Sequence, residues 1–333
     1  MSTQRSRALV TGGAGFIGSH VVDRLLAQGH EVRVVDNLST GSRANLAHVE
    51  AEVDFLEGDL CDPSVAARAV DSIDVIYHLA ALPSVPRSLA DPLGSHDANV
   101  NATVYLLNAA VQAKVGRIVY SSSSSVYGDT PELPKVESVE PLPRSPYAAS
   151  KLASEQYVLA YARGGLIEGV ALRYFNVFGP RQSPSSAYAA VIPLFMAAAL
   201  RGTPATIFGD GEQTRDFTFV SNVVQANVLA GSRPAEIVSG APVNVGAGER
   251  TTLQQLASLI REVSGRSLVC QTAASRPGDV RDSLASLERA KRLLGFEADV
   301  GLREGLRRTW EWLRSNESAA EPGTRPRVAA QLA

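Results

Sequence analysis

The stretch Thr11-Gly-Gly-Ala-Gly-Phe-Ile-Gly18 decides the fold. Residues 7–11 before it are short and apolar enough to be a strand. After it, Phe16, Ile17, Val21, Leu25 and Leu26 recur at helical spacing as far as Gly29, a natural stop. A glycine triplet alone is only a turn signal. Between a strand and an amphipathic helix it is the fingerprint of a dinucleotide-binding turn. Gly12 then permits the tight bend, Gly15 lets backbone amides approach a pyrophosphate, and Gly18 lets helix and strand pack closely. The helix start, with Phe16 and Ile17 in its first turn, offers unsatisfied donors and a positive dipole end to the anion.

The next strand, 31–36, ends on Asp36. A carboxylate there accepts hydrogen bonds from the adenosine ribose hydroxyls and repels a 2′-phosphate, which favours NAD over NADP. Arg33 and Arg43 are near but do not replace it. Asp59-Leu60 follows a third strand, 53–57, either as an adenine contact or as a turn aspartate. Further strands are read at 75–79, 117–121 and 170–174, with helices at 63–70, 94–113 and 146–163. Strands alternating with helices of this length indicate a doubly wound, Rossmann-type parallel sheet covered on both faces.

Beyond Phe178 the rhythm changes. Residues 179–186 read as a loop, 206–210 and 242–245 as short strands, and 189–201, 222–231, 253–264, 284–294 and 302–313 as helices. The expected organisation is an NAD-binding domain over 1–178 with returns near 216–246. A smaller substrate-binding lobe follows, mainly over 179–314. The tail 315–333 is polar and aperiodic and is expected to be disordered.

Composition excludes other classes. A formal charge of −2 over 333 residues gives no electrostatic case for a nucleic-acid or membrane partner. Cys61 and Cys270 lie far apart with no metal-ligand spacing, so no metal is expected and both read as reduced thiols. The first seven residues are polar, and the apolar stretch after them is short and glycine-rich. That is neither a signal peptide nor a membrane span, and a cytoplasmic location is expected.

Chemistry is carried by Tyr147-Ala-Ala-Ser-Lys151, whose tyrosine and lysine share a helix face at i and i+4. A tyrosine is a poor base at neutral pH; a nearby ammonium and a cationic nicotinamide both favour its phenolate. The serine tract 121–125 runs off the end of a parallel strand, where ligands of such sheets bind. Hydroxyls there can bridge a sugar hydroxyl to the tyrosine.

With these motifs in this order, residues 7 to 314 resemble the extended short-chain dehydrogenase/reductase (NAD-dependent epimerase/dehydratase) family. The likeness is greatest to bacterial UDP-N-acetylglucosamine and UDP-glucose 4-epimerases. It rests on His78 to Ser88, Ser121 to Asp129, Tyr147 to Lys151, Arg173 to Gln182, Ala187 to Pro193, Gly209 to Phe217 and Arg276 to Ser283. The resemblance implies a UDP-hexose 4-epimerase acting through a transient 4-keto sugar. Tyr147 would be the acid and base, Lys151 its activator and a ligand of the nicotinamide ribose, and Ser123 the partner of the sugar 4-hydroxyl. The neighbouring serines leave a shift of one position open. Other implied cofactor contacts are Asn37, Leu79, Ala80, Ala81, Asn99 and Phe175. Implied substrate contacts are Ser84 and Ser125 at the sugar, Asn176, Arg215 and Arg276 at the diphosphate, Asp279 at the uridine ribose, and Ala190, Val191, Ile192 and Pro193 facing uracil. Ser283 matches the family's gate beside the hexose C2 substituent, where a small residue leaves room for a 2-N-acetyl group. A homodimer through helices near 98–113 and 147–163 is also implied.

Some residues depart from the pattern. Pro83 stands where relatives often have glycine, which restricts the sugar-side loop. The 4,6-dehydratase reading lacks its acid–base pair, since Ser124 and Ser125 occupy those positions. UDP-glucuronate 4-epimerase remains the alternative substrate reading, with UDP-xylose/UDP-arabinose a further pair. A non-catalytic NAD-binding protein remains the alternative of a different class.

Overall fold

The computed structural model describes residues 6–184, 189–274 and 280–319, with side chains as far as Asn316. Seven parallel strands form the central sheet: β1 (Arg7–Thr11), β2 (Glu31–Asp36), β3 (Val53–Glu57), β4 (Val75–His78), β5 (Arg117–Ser123), β6 (Glu168–Tyr174) and β11 (Ala241–Val245). Their order is β11-β6-β5-β4-β1-β2-β3. The chain reverses its direction of winding between β1 and β4, so their carboxyl ends open a crevice, the position where such sheets bind ligands. Here Thr11 lies directly beside His78. β5 and β6 bury nearly every residue, as central strands covered on both faces must.

One face of the sheet carries α1 (Phe16–Ala27) and α8 (Val220–Ser232), which bury Val21, Val22, Leu25, Val223 and Val224. The other carries α2 (Pro63–Ala69), α5 (Ala102–Gln112) and α6 (Pro146–Arg163), which bury Val65, Leu106, Leu107, Val158 and Leu159. Between β4 and α5 lie α3 (Val85–Ala90), α4 (Pro92–His96) and one π-helical turn, Asp97–Asn101. α9 (Ala235–Val238) leads into the amino end of β11, and α11 (Glu288–Leu294) packs against β11 and α8. The rest builds a smaller layer over the carboxyl ends of the strands. It comprises β7 (Val177–Phe178), α7 (Val191–Arg201), β8 (Ala205–Phe208), β9 (Thr214–Arg215), β10 (Thr218–Phe219), β12 (Thr251–Thr252), α10 (Leu253–Ser264), β13 (Cys270–Ala273) and α12 (Leu302–Ala319).

The helix expected over 94–113 is present as one run of helical backbone over residues 92–112, entered under an Asp91 cap and carrying a π turn at Asp97–Asn101. Residues 82–90 contain a short helix that the spacing did not announce. Two expectations are corrected. Helix 284–294 begins only at Glu288; before it, Leu284 and Ser286 exchange backbone hydrogen bonds with Lys135, an extended pairing that apolar spacing cannot reveal. The disorder expected from residue 315 onward does not hold for 315–319. These residues continue α12, and Ser315 and Asn316 bond back to carbonyls one turn earlier. The rest of that tail, 320–333, lies outside the described residues. No helix among the described residues is long and apolar enough to cross a membrane.

Candidate active site

A cavity of about 650 Å³ follows the carboxyl ends of the strands from the glycine turn to Ser283. At one end Gly12, Gly15, Phe16, Ile17 and Gly18 line it. Gly12 has φ +67, and a Cβ there would meet the Ala80 backbone at 2.8 Å; one on Gly18 would strike the Gly12 carbonyl at 2.2 Å. Both positions therefore exclude any larger residue. A Cβ on Gly15 would meet only the Gly12 carbonyl, at 3.0 Å, and would otherwise project into the cavity. No side chain caps the first turn of α1, so that turn is left facing the cavity. This cradle fits a pyrophosphate.

Asp36 ends β2 at the cavity wall. Its carboxylate accepts the Ala14 amide at 3.0 Å and the Leu38 amide at 2.8 Å, while burial raises its pKa. Lone pairs remain for ribose hydroxyls. Asn37 donates to Asp59 at 2.9 Å, and Asp59 also accepts the Cys61 amide at 2.8 Å. Asp59 is thus a turn aspartate and a lining residue at once, so the two readings of it do not compete. Leu60, Leu79, Ala80, Ala81 and Phe175 line the same cavity. Asn99 does not. It is buried behind the wall, where it holds the Leu82 backbone and Ser150.

α6 starts with Pro146 after Ser145, whose hydroxyl accepts the Ala148 amide at 3.1 Å. That start aims Tyr147 and Lys151 at the cavity. Of the serines, Ser122 turns away and donates to Glu155 at 2.6 Å. Ser123 ends β5 and accepts both the Ser125 amide, at 3.2 Å, and the Ser125 hydroxyl, at 2.9 Å. Its own proton is then free for Tyr147, with which it hydrogen bonds. The expected lowering of the Tyr147 pKa is not found in the protein alone: burial raises it, and the Ser123 bond pulls it partly back. Burial also pushes Lys151 down to about 7, opposed by the Glu155 carboxylate one turn along the helix. Lys151 lies over the Tyr120 ring, 4.5 Å from its centre.

The far end is built by loops that sequence separates widely. Ser84 lines the cavity at φ 107, a strained value for a serine, and caps α3 by accepting the Arg87 amide. The strain falls one residue after the unusual Pro83. Asn176 donates to the Ser283 hydroxyl at 3.2 Å and to the Asp216 carbonyl at 3.3 Å. Ser283 is 8% exposed and faces the cavity. Ser125 and Arg215 line it too, and Arg215 also lines an adjoining apolar pocket of about 250 Å³ with Ala190, Val191 and Ile192. Pro193 lines neither and is buried within α7. Arg276 and Asp279 lie outside the described residues.

Spacing gave no warning of Arg87, Lys135, Gln182 or Asp282, which line the cavity, Arg87 from α3 and the others from three separate loops. Nor did it show that Arg173 of β6 grips Glu155 of α6 through two hydrogen bonds, at 2.6 and 3.0 Å, in the fully buried base of the site. Among the described residues no cluster of histidine, cysteine or carboxylates could hold a metal.

Comparison with known proteins agrees with this geometry. The model of the NAD dependent epimerase/dehydratase family matches residues 8–246. A UDP-glucose 4-epimerase of Mycolicibacterium smegmatis is 41% identical over 313 residues, 93% of this chain and 99% of that one. The structure of a UDP-N-acetylglucosamine 4-epimerase from Methanobrevibacter ruminantium, in complex with UDP-N-acetylmuramic acid, superposes with a TM-score of 0.88. It is 39% identical and covers 94% of this chain and 100% of that one. The structure of MoeE5 in complex with UDP-glucuronic acid and NAD has a TM-score of 0.84 at 39% identity, covering 93% and 99%.

Proposed function

Because the chain belongs to the NAD dependent epimerase/dehydratase family, we propose that its cavity binds NAD and a UDP-hexose side by side and inverts the sugar at C4. The protein is a UDP-sugar 4-epimerase, an isomerase with NAD as cofactor. The finer reading is that UDP-GlcNAc and UDP-GalNAc are its substrates, with UDP-glucose and UDP-galactose also accepted. One observation carries that choice: Ser283, small and facing the cavity, leaves room beside the hexose.

The residues would hold NAD through the glycine turn, the first turn of α1, Asp36 and Lys151. When bound, NAD supplies a reversible two-electron acceptor for the sugar carbon. Tyr147 would take the 4-hydroxyl proton and later return one to the same oxygen on the other face of the 4-keto sugar. Ser123 would donate to Tyr147 and so favour its phenolate. The Lys151 ammonium would add to that effect, and a bound cofactor cation would hold Tyr147 lower still. Asn176 and Arg215 would anchor the diphosphate, a task suited to guanidinium geometry. Anchoring there leaves the hexose free to turn over.

Exposed Leu93 of α4, Tyr105 of α5 and Tyr157 of α6 come from helices packed side by side. This apolar face suits a homodimer, which sedimentation of the purified protein would test. UDP-glucuronate is the second substrate reading, since MoeE5 was solved with that sugar nucleotide.

The test is incubation with UDP-GlcNAc, UDP-glucose and UDP-glucuronate separately, following anomeric protons by NMR. Conversion of UDP-GlcNAc is the expected result. Conversion of UDP-glucose alone would sink the open-gate reading of Ser283, and conversion of UDP-glucuronate alone would move the protein to the acid-sugar epimerases. No conversion of any, with NAD bound, would overturn these substrate readings and leave another sugar pair, such as UDP-xylose/UDP-arabinose, or a non-catalytic role.

A further inference from the structure

A buried line of hydroxyl, imidazole and amide groups runs behind the cavity wall from the glycine turn to α6. At its start, the Thr11 hydroxyl accepts the Leu79 and Ala80 amides, each at 3.1 Å. The Leu79 amide is shared with the Thr11 carbonyl at 3.2 Å, and the Thr11 hydroxyl, which accepts these amides, turns its proton to His78 Nδ1, 2.7 Å away. His78 is fully buried in β4, and its other nitrogen, Nε2, lies 2.9 Å from the Thr103 hydroxyl. Thr103 in turn donates to the Asn99 carbonyl at 2.5 Å. That carbonyl, in the π-helical turn, also accepts the Ser154 hydroxyl of α6 at 2.8 Å. The Asn99 side chain continues the line: its oxygen accepts the Leu82 amide at 2.8 Å and its nitrogen donates to Ser150 at 2.8 Å. Ser150 donates to the Tyr147 carbonyl at 2.8 Å.

The Thr103 proton is committed to the Asn99 carbonyl at 2.5 Å, so Nε2 must carry the proton of its own link to Thr103, and Nδ1 must be bare to accept from Thr11. Reversing the links would leave the Thr103 and Asn99 oxygens 2.5 Å apart with no proton between them. The line therefore has one polarity and one spacing. Its two ends are the elements whose separation the proposed reaction depends on: the Gly12–Ala80 floor, where NAD would lie, and the first turn of α6, which carries Tyr147.

We propose that His78 is a positioning residue, a neutral Nε2-protonated imidazole that fixes the donor direction of this line and so holds the glycine turn in register with the Tyr147 face of α6. The proposal rests on the epimerase reading for its effect on turnover but not for its tautomer.

Two measurements test it. Nitrogen-15 NMR of the histidine-labelled wild-type protein should show His78 protonated at Nε2 and bare at Nδ1. A ring protonated at Nδ1 would overturn the proposal whatever the activity. Thr103→Val keeps volume but removes both the acceptor for Nε2 and the donor to Asn99. Its kcat for the UDP-sugar should fall between about 10- and 100-fold through misplacement alone. KM should stay within about threefold and NAD content should be unchanged, while Thr103→Ser restores kcat. A folded Thr103→Val variant with wild-type kcat would reduce the line to a packing device and overturn the proposal. An inactive wild type that still shows the Nε2 tautomer would instead count against the epimerase reading.

Discussion

Tyr147 stands between two opposed influences, burial that holds its proton and the Ser123 hydroxyl that favours releasing it. Removing the phenol oxygen should therefore abolish the proton relay without disturbing the fold. Tyr147→Phe is expected to lower kcat by about 10²- to 10⁴-fold, with NAD content and melting behaviour unchanged. Near-normal turnover would dismiss Tyr147 as the base. Ser283 is small, lines the other end of the cavity and accepts the Asn176 amide at 3.2 Å. Ser283→Tyr should fill the space beside the hexose. We expect kcat/KM for UDP-GlcNAc to fall about 10- to 100-fold relative to that for UDP-glucose. An unchanged ratio between the two sugars would remove Ser283 from the specificity argument. The place of Tyr147, Lys151 and the glycines at the cavity was legible because it is written in local spacing. Asn99 was harder to read. Its place behind the wall follows from bonds to Leu82, Ser150 and Ser154, which no short motif encodes.

α6 shows how one element carries both chemistry and packing. Its cavity face holds Tyr147 and Lys151, while its buried face carries Val158, Leu159 and Glu155, which is 0% exposed. Glu155 accepts Ser122 of β5 and two nitrogens of Arg173 of β6, so one carboxylate ties the helix to two strands. Such a pair gives little net stability over an apolar packing, but breaking it strands a charge. Glu155→Gln is thus expected to cost about 3–5 kcal/mol in urea unfolding. The double variant with Arg173→Met should recover part of that loss, and a cycle with no recovery would refute the coupling. Helix boundaries followed the same division between local and distant causes. Residues 146–163 were readable because Ser145, Pro146 and the apolar spacing agree. Residues 284–287 misled because their apolar side chains serve an extended pairing with Lys135, a partner far off in the chain.

Across the whole molecule, the buried polar groups make stability depend on pH in opposite senses. Burial drives the His78 pKa from 6.5 down to about 3, with Lys151 adding to the effect. Between those values the unfolded chain binds a proton that the folded protein refuses. His78 therefore costs nothing above pH ~6.5, and stability is lost as pH falls below it, by about 2–3 kcal/mol at pH ~4.5. Asp216 runs the other way. It is wholly buried, and its carboxyl is raised from 3.8 to about 6 by burial despite three backbone amides from Ala247, Gly248 and Ala285. The folded protein binds its proton more readily than the unfolded chain, so stability from this group is fullest below pH ~3.8 and is lost as pH rises through about 6. The measured slope is the sum, and it is separable by substitution. His78→Asn removes a titrating group but leaves Asp216 in place. The variant is expected to be less stable at pH 7, having lost the Thr103 bond, and yet to lose less on acidification than the wild type. Urea unfolding of both proteins from pH 7 to 4.5 tests this. Parallel curves would mean that the folded protein takes up a proton on that ring as readily as the unfolded chain does and that the buried imidazole has no part in acid sensitivity.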